Sequence, residues 1–242
     1  MKLTFLGTRG EIEASNRRHR RHSALLVEYY RRRVMIDCGE DWLGHVQEVK
    51  PHAIVLTHAH PDHAWGLQGG APCPVYATEA TWEDIAGYPI PQERRHTVTA
   101  REPVEVEGVR LEAFPVEHST RCPAVGYRLT AGNVSVWYAP DLVYIWDRAD
   151  ALHGCRLYVG DGASPARSMV RRRGDRLIGH TPIRTQLTWC QKEGVPEAVF
   201  THCGSGVVDG DERSLAAQLR EWAKERGVRA AIAHDGLTRV LR

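Results

Sequence analysis

Two patterns in the 242 residues predict an α/β fold. The N-terminal half is built of short aliphatic and β-branched runs broken by turn residues, and the C-terminal half alternates such runs with stretches of helical periodicity. In order, strands are expected at residues 3–6, 24–29, 33–36, 53–57, 74–77, 109–116, 125–129, 134–138 and 157–159. Thr181 and Pro182 then offer an N-cap and a proline at the first helical position. Ile183, Leu187 and Cys190 follow at helical spacing, and Gly194 supplies the stop. A strand is expected at 198–201. Leu215, Leu219, Trp222 and Ala223 mark an amphipathic helix ended by Gly227, and closing strands fall at 228–233 and 237–241.

The length favours one large domain, and no low-complexity linker divides it, so residues 1–242 read as a single domain. With 32 Lys and Arg against 30 Asp and Glu, the net charge of +2 excludes a broadly basic nucleic-acid coat and an acidic disordered tail. No apolar run approaches the roughly 18 residues of a membrane span, and the first ten residues lack the shape of a secretory signal, so the chain reads as cytoplasmic with no membrane partner. The six cysteines show no Cys-x-x-Cys spacing, which points to reduced, mostly buried thiols rather than a disulfide framework or thiolate zinc site. Trp65, Trp82 and Trp146 either pack in the core or line a pocket or homodimer face.

The thirteen histidines are the informative residues. His58-Ala59-His60-Pro61-Asp62-His63 follows a buried strand and places four potential ligands in six residues, a loop able to splay donors toward two ions. Neutral imidazole and carboxylate suit zinc, with manganese or iron also accepted. Without a cation, burying so many ionisable groups would cost heavily in desolvation. One loop cannot close two coordination spheres. Isolated donors recur at other strand ends: His118, Asp141 and His202 bring the set to seven N/O ligands. The runs Ile54-Val55-Leu56-Thr57-His58 and Ala198-Val199-Phe200-Thr201-His202 echo one another, each delivering an imidazole to the carboxyl end of a strand, where open α/β sheets place their sites.

The His-x-His-x-Asp-His pattern with later His, Asp and His donors resembles the metallo-β-lactamase fold superfamily. Leu6-Gly7-Thr8, Ile36-Asp37-Cys38-Gly39-Glu40 and Phe200-Thr201-His202 are similar to the branch holding ribonuclease Z and the phosphonate-pathway cyclic phosphodiesterases. The resemblance implies an αββα sandwich of two mixed sheets flanked by helices, with the site at one sheet edge. It also implies that His58, His60 and His118 hold one metal, that Asp62, His63 and His202 hold the other, and that Asp141 bridges them. Asp62, Asp161 and His180 are the implied catalytic residues, Asp161 pairing with His180. A carboxylate beside an imidazole favours its protonated form, as an acid or a phosphate clamp requires. His234 could replace His202 as a ligand, or lie behind the metals or against the substrate.

Two cations can acidify a shared water, and the resulting hydroxide would attack phosphorus or a carbonyl, so the metal chemistry alone does not choose. The Asp161–His180 pair, a bridging Asp141 where many β-lactamases carry cysteine, and the guanidinium groups of Arg17 to Arg21 favour a cyclic or short nucleotide-type phosphodiester. Arg17 and Arg18 are the candidate phosphate contacts, with a solvated loop as the plainer reading. Ribonuclease Z grips tRNA with a long inserted arm. No arm is visible between His63 and His118, and no cysteine precedes Cys38 to supply the additional zinc site of the phosphonate-pathway enzymes. A carboxylic ester, lactone or β-lactam hydrolase is the alternative on the same ligands, and a non-catalytic metal-binding protein a lesser one.

Overall fold

The computed structural model describes all residues, Met1–Arg242. β1 (Lys2–Gly7), β2 (Ala24–Tyr29), β3 (Arg32–Ile36), β4 (Ala53–Val55), β5 (Val75–Ala77) and β6 (Arg95–Thr97) lie in one sheet. β7 (Val104–Val106), β8 (Val109–Glu117), β9 (Ala124–Ala131), β10 (Val134–Tyr138), β11 (Tyr144–Ile145) and β12 (Cys155–Asp161) belong to a second. β13 (Arg171–Arg173) and β14 (Arg176–Ile178) form a separate hairpin. β15 (Glu197–Thr201) and β16 (Arg229–Ile232) extend the second sheet, and β17 (Thr238–Val240) returns to pair with β1.

Both sheets are mixed. In the first, β17, β1, β2 and β3 are antiparallel neighbours and β3 through β6 run parallel. In the second, β8, β9 and β10 are antiparallel, whereas β10, β12, β15 and β16 run parallel.

The near-continuous apolar runs of β4, β10, β12 and β15 are explained by burial on both faces of these inner strands. Val34, Ile36, Ala53 and Val55 of the first sheet meet Val136, Tyr138, Val159 and Val199 of the second in a central core of 24 buried residues. The alternating residues point outward. Met35 and Ile54 pack with Trp42, Leu67 and Trp82 on one side, and Trp137, Tyr158 and Phe200 pack with Ile183, Leu187, Leu219 and Trp222 of two helices on the other. The layers are therefore helix, sheet, sheet, helix, as expected.

The helix Ile183–Lys192 begins one residue later than expected: Pro182 is its extended flanking residue, and Thr181 caps nothing. Gln186 instead reaches back, its Nε2 donating to the Thr181 and Asp161 carbonyls. In the helix Glu212–Glu225, Asp211 is the N-cap, accepting from Ser214 N at 2.7 Å. The expected strand 53–57 stops at Val55, because Thr57 turns its backbone N–H and hydroxyl onto Asp37. Five of the six thiols are buried, Cys122 being half-buried. Trp82 packs inside, while Trp65 and Trp146 are exposed. No helix is long and apolar enough to cross a membrane.

Candidate metal centre

The chain delivers its donors at strand ends. Asp37 follows β3, His58 follows β4, His118 follows β8, Asp141 follows β10, Asp161 ends β12 and His202 follows β15. Because β10, β12 and β15 are parallel neighbours, Asp141, Asp161 and His202 emerge side by side on one edge. The helix Pro61–Ala64, with proline at its first position, turns Asp62 and His63 back toward them.

The structure brings all seven expected ligands together in two groups, His58, His60 and His118 with Asp141, and Asp62, His63 and His202. In the first, His60 Nδ1 lies 3.1 Å from His58 Nε2 and 3.1 Å from His118 Nε2. Nitrogens about 2.0–2.1 Å from a tetrahedral zinc stand at about 3.3 Å from one another, so the spacing is close to that of ligands around one ion. In the second, Asp62 Oδ2 is 2.9 Å from His202 Nε2 and 3.2 Å from His63 Nε2. Asp141 Oδ2 stands between the groups, 3.7 Å from His58 Nε2, 3.8 Å from His63 Nε2 and 3.5 Å from His202 Nε2.

Protons alone do not account for this packing. Burial, followed by the neighbouring imidazoles, holds His58 well below its ordinary value and His60 down at about 4, so both are neutral at pH 7 and turn ring nitrogens on one another. His63 Nε2, Asp141 Oδ1 and His202 Nδ1 are buried without any hydrogen bond of good geometry, although charged atoms stand close to them. Such orphaned donors are expensive unless something else engages them, and imidazole with carboxylate is a donor set for a divalent cation. Burial opposes charge on Asp62 and Asp141, yet the surrounding imidazoles hold both carboxyls well below the usual carboxylate range. Burial likewise opposes protonation of His63, but Asp62 and Asp37 override it and push His63 up to about 10.

Sequence reasoning missed the role of Asp37. This fully buried carboxylate accepts from His63 Nδ1 at 2.9 Å and from Thr57 Oγ1 at 2.9 Å, and Thr57 Oγ1 is 3.0 Å from His58 Nδ1. One carboxylate thus orients an imidazole of each group, the kind of support that fixes ring orientation and tautomer at metal sites. Its turn lies tight against the ligand loop: a Cβ on Gly39 would fall 2.2 Å from the Asp62 carbonyl oxygen. The signal in the sequence is the run Ile36-Asp37-Cys38-Gly39-Glu40, an aspartate directly after an apolar strand and followed closely by glycine, which marks the family resemblance without giving Asp37 a role.

Asp161 and His180 form the expected pair. His180 Nδ1 is 2.9 Å from Asp161 Oδ2 and 2.9 Å from Asp141 Oδ1. Asp161 is fixed in turn by the Leu142 and Ala163 backbone N–H groups. Against the effect of burial, Asp141 and Asp161 push His180 up to about 11. These groups open onto a cleft of about 950 Å³ lined by His60, Asp62, His118, Asp141, His180 and His202 together with Glu11, Arg167 and Arg171.

Arg17, Arg18 and His234 are not among the residues lining that cleft. Arg17 is exposed, and Arg18 pairs with Glu212 at 2.6 Å. Their loop is tied down instead by Asp235, which accepts from Thr8 Oγ1, Arg20 N and Arg21 N, and by Asp41, which accepts from Arg9 and His22 N. His234 turns its Nδ1 to the Asp235 carbonyl at 3.1 Å, and His202 alone of the two histidines joins the donor groups. The guanidinium groups of the cleft are Arg167 and Arg171, from a segment whose course the sequence does not reveal.

A sandwich of two mixed sheets with a His and Asp cluster at one edge defines the metallo-β-lactamase fold. The chain belongs to the family described as the Beta-lactamase superfamily domain, whose profile matches residues 32–203. Ribonuclease Z of Methanopyrus kandleri is 32% identical over 149 residues, 54% of this chain and 51% of the relative. The chain thus spans about half the length of that curated relative in the match. Ribonuclease Z of Mycobacterium bovis is 24% identical over 263 residues, covering 90% of this chain and 92% of the relative. Among solved structures, a diphosphatase of the PhnP family superposes with a TM-score of 0.75 at 22% identity, covering 100% of this chain and 98% of the other.

Proposed function

We propose that residues 1–242 form one hydrolase domain that cleaves a cyclic or short nucleotide-type phosphodiester with the help of two divalent cations, zinc or else manganese or iron. The observation that carries this reading is the convergence of seven donors, six of them buried and His60 half-buried, at a cleft that also holds His180 and two arginines. His58, His60 and His118 would hold one cation and Asp62, His63 and His202 the other, with Asp141 between them. Bound cations supply an acidified water and positive charge at the phosphate.

The chain's own residues do the rest. Asp37 and Thr57 keep the His63 and His58 rings in register with their groups. Asp161 engages His180 Nδ1, which leaves Nε2 to hold a proton toward a phosphate oxygen or the leaving group. Arg167 and Arg171 add cationic forks on the cleft wall, suited to phosphate more than to a neutral carbonyl. The ribonuclease Z relatives are named for a nuclease, which agrees with phosphodiester chemistry.

Turnover of bis(p-nitrophenyl) phosphate should exceed that of a lactone and of nitrocefin. Cleavage of nitrocefin or the lactone with every phosphodiester ignored would replace this reading with a carbonyl hydrolase. Asp62→Ala should abolish turnover, by about a thousandfold or more, and lower metal content measured by elemental analysis. His180→Ala should lose about 10²–10⁴-fold in kcat with both metals retained; equal metal loss in the two variants would remove His180 from the chemistry.

A further inference from the structure

The segment between β12 and the helix Ile183–Lys192 carries arginines that nothing in the fold uses. Arg167, Arg171, Arg172, Arg173 and Arg176 are all exposed, and none of them forms an ion pair. Arg9, Arg18, Arg101, Arg128 and Arg148 by contrast each meet a carboxylate. In the hairpin register Arg173 stands directly opposite Arg176, a like-charge pair that destabilises the hairpin in isolation. The hairpin is nonetheless anchored at the site. Gly179 N donates to the carbonyl of His118 at 3.0 Å, Leu177 N to Glu117 at 3.2 Å and Met169 N to the His180 carbonyl at 3.2 Å. Its base is therefore bonded to the residues beside the donor cluster, and Arg167 and Arg171 face the same cleft. A guanidinium on the cleft wall can bind phosphate oxygens as a fork.

We infer that Arg167 and Arg171 are specificity-determining residues that bind a second phosphate of the substrate, one not undergoing cleavage. The inference rests on the phosphodiesterase reading and narrows it to phosphodiesters carrying at least one further phosphate. That phosphate is either a terminal phosphomonoester on a mononucleotide or the next internucleotide diester, and both present the anionic oxygens that guanidinium forks accept. Arg167 and Arg171, the two arginines of the segment that line the cleft, then meet their counter-charge when substrate binds.

The test compares thymidine 5′-(p-nitrophenyl phosphate) with and without a 3′-phosphate, using the metal-loaded full chain. Wild type should favour the 3′-phosphorylated substrate by about tenfold or more in kcat/KM, expressed mainly in KM. The Arg167→Ala/Arg171→Ala variant should lose about tenfold of that preference. A charge-matched control, Arg213→Ala/Arg220→Ala on the helix Glu212–Glu225, none of whose residues lines the cleft, should retain it. A third substrate whose second phosphate is an internucleotide diester identifies the source; a preference for either form that depends on the two arginines supports the inference. No preference in wild type, or the same preference in wild type and the double variant, overturns it. Should wild type hydrolyse none of the three, the phosphodiesterase reading fails by itself. Calorimetric titration with inorganic pyrophosphate then still judges the arginines: a Kd about tenfold weaker in the double variant supports anion binding there, and an unchanged Kd overturns it.

Discussion

Two arginine-rich segments look alike in the sequence and behave as opposites in the structure. Residues 17–21 are fastened by carboxylates brought from far along the chain, Asp235 and Glu212 among them, and Arg21 also covers Trp42 at 4.2 Å from the ring. The arginines of residues 167–176 form no ion pair, and residues 167–171 line the cleft. The role of a basic run is decided by where its counter-charges fold to, which composition cannot reveal. The first segment is scaffold, and the second is free to receive a ligand.

The comparison breaks most easily at Asp235. Removing its carboxylate leaves Thr8 Oγ1 and the Arg20 and Arg21 N–H groups without their acceptor, so Asp235→Ala should cost about 3 kcal/mol. A urea midpoint indistinguishable from wild type would show that the first segment is not fastened as described.

A smaller effect falls on pH. Burial holds His19, whose Nδ1 is 2.9 Å from Thr8 Oγ1, below its ordinary value. With the folded value below the unfolded one, the unfolded chain takes up the proton first, and stability falls as pH drops from about 6.5. Between about pH 7.5 and 5.5, His19→Gln should therefore lose less of its urea midpoint than wild type, by up to about 1 kcal/mol; parallel losses would refute the assignment.

In the second segment the sign reverses. Arg173→Glu places opposite charges across the β13–β14 pair and should stabilise the protein by about 0.5 kcal/mol, read as a small rise in Tm; a fall would mean that Arg173 has a partner in solution. Arg17→Ala, which removes no ion pair, should stay within about 0.5 kcal/mol of wild type and leave kinetics unchanged.

The layers and donors were legible because each rests on a strong local pattern. An apolar strand followed by His or Asp reads directly as a loop at a sheet edge: His58, His118, Asp141 and His202 are of this kind, and the loop after His58 adds His60, Asp62 and His63. The Asp161–His180 contact came from a family resemblance and is present at 2.9 Å. What escaped notice depends on distance in the chain or on absent hydrophobicity. Arg17 and Arg18 stood as candidate phosphate contacts beside the plainer reading of a solvated loop, because Asp235, about two hundred residues onward, gives no hint that it closes on their loop. The β13–β14 hairpin alternates no apolar residues and so shows no strand period, although Gly174 and Asp175 mark its turn. β6, β7 and β11, each of two or three residues, are too short for periodicity to register.

Asp37 braces His63 directly and His58 by way of Thr57, so the two halves of the donor cluster share one keystone. Neither half can relax alone. Loosening one ring shifts the carboxylate that aligns the other, and displacement at either half is thereby mechanically coupled to order at its neighbour.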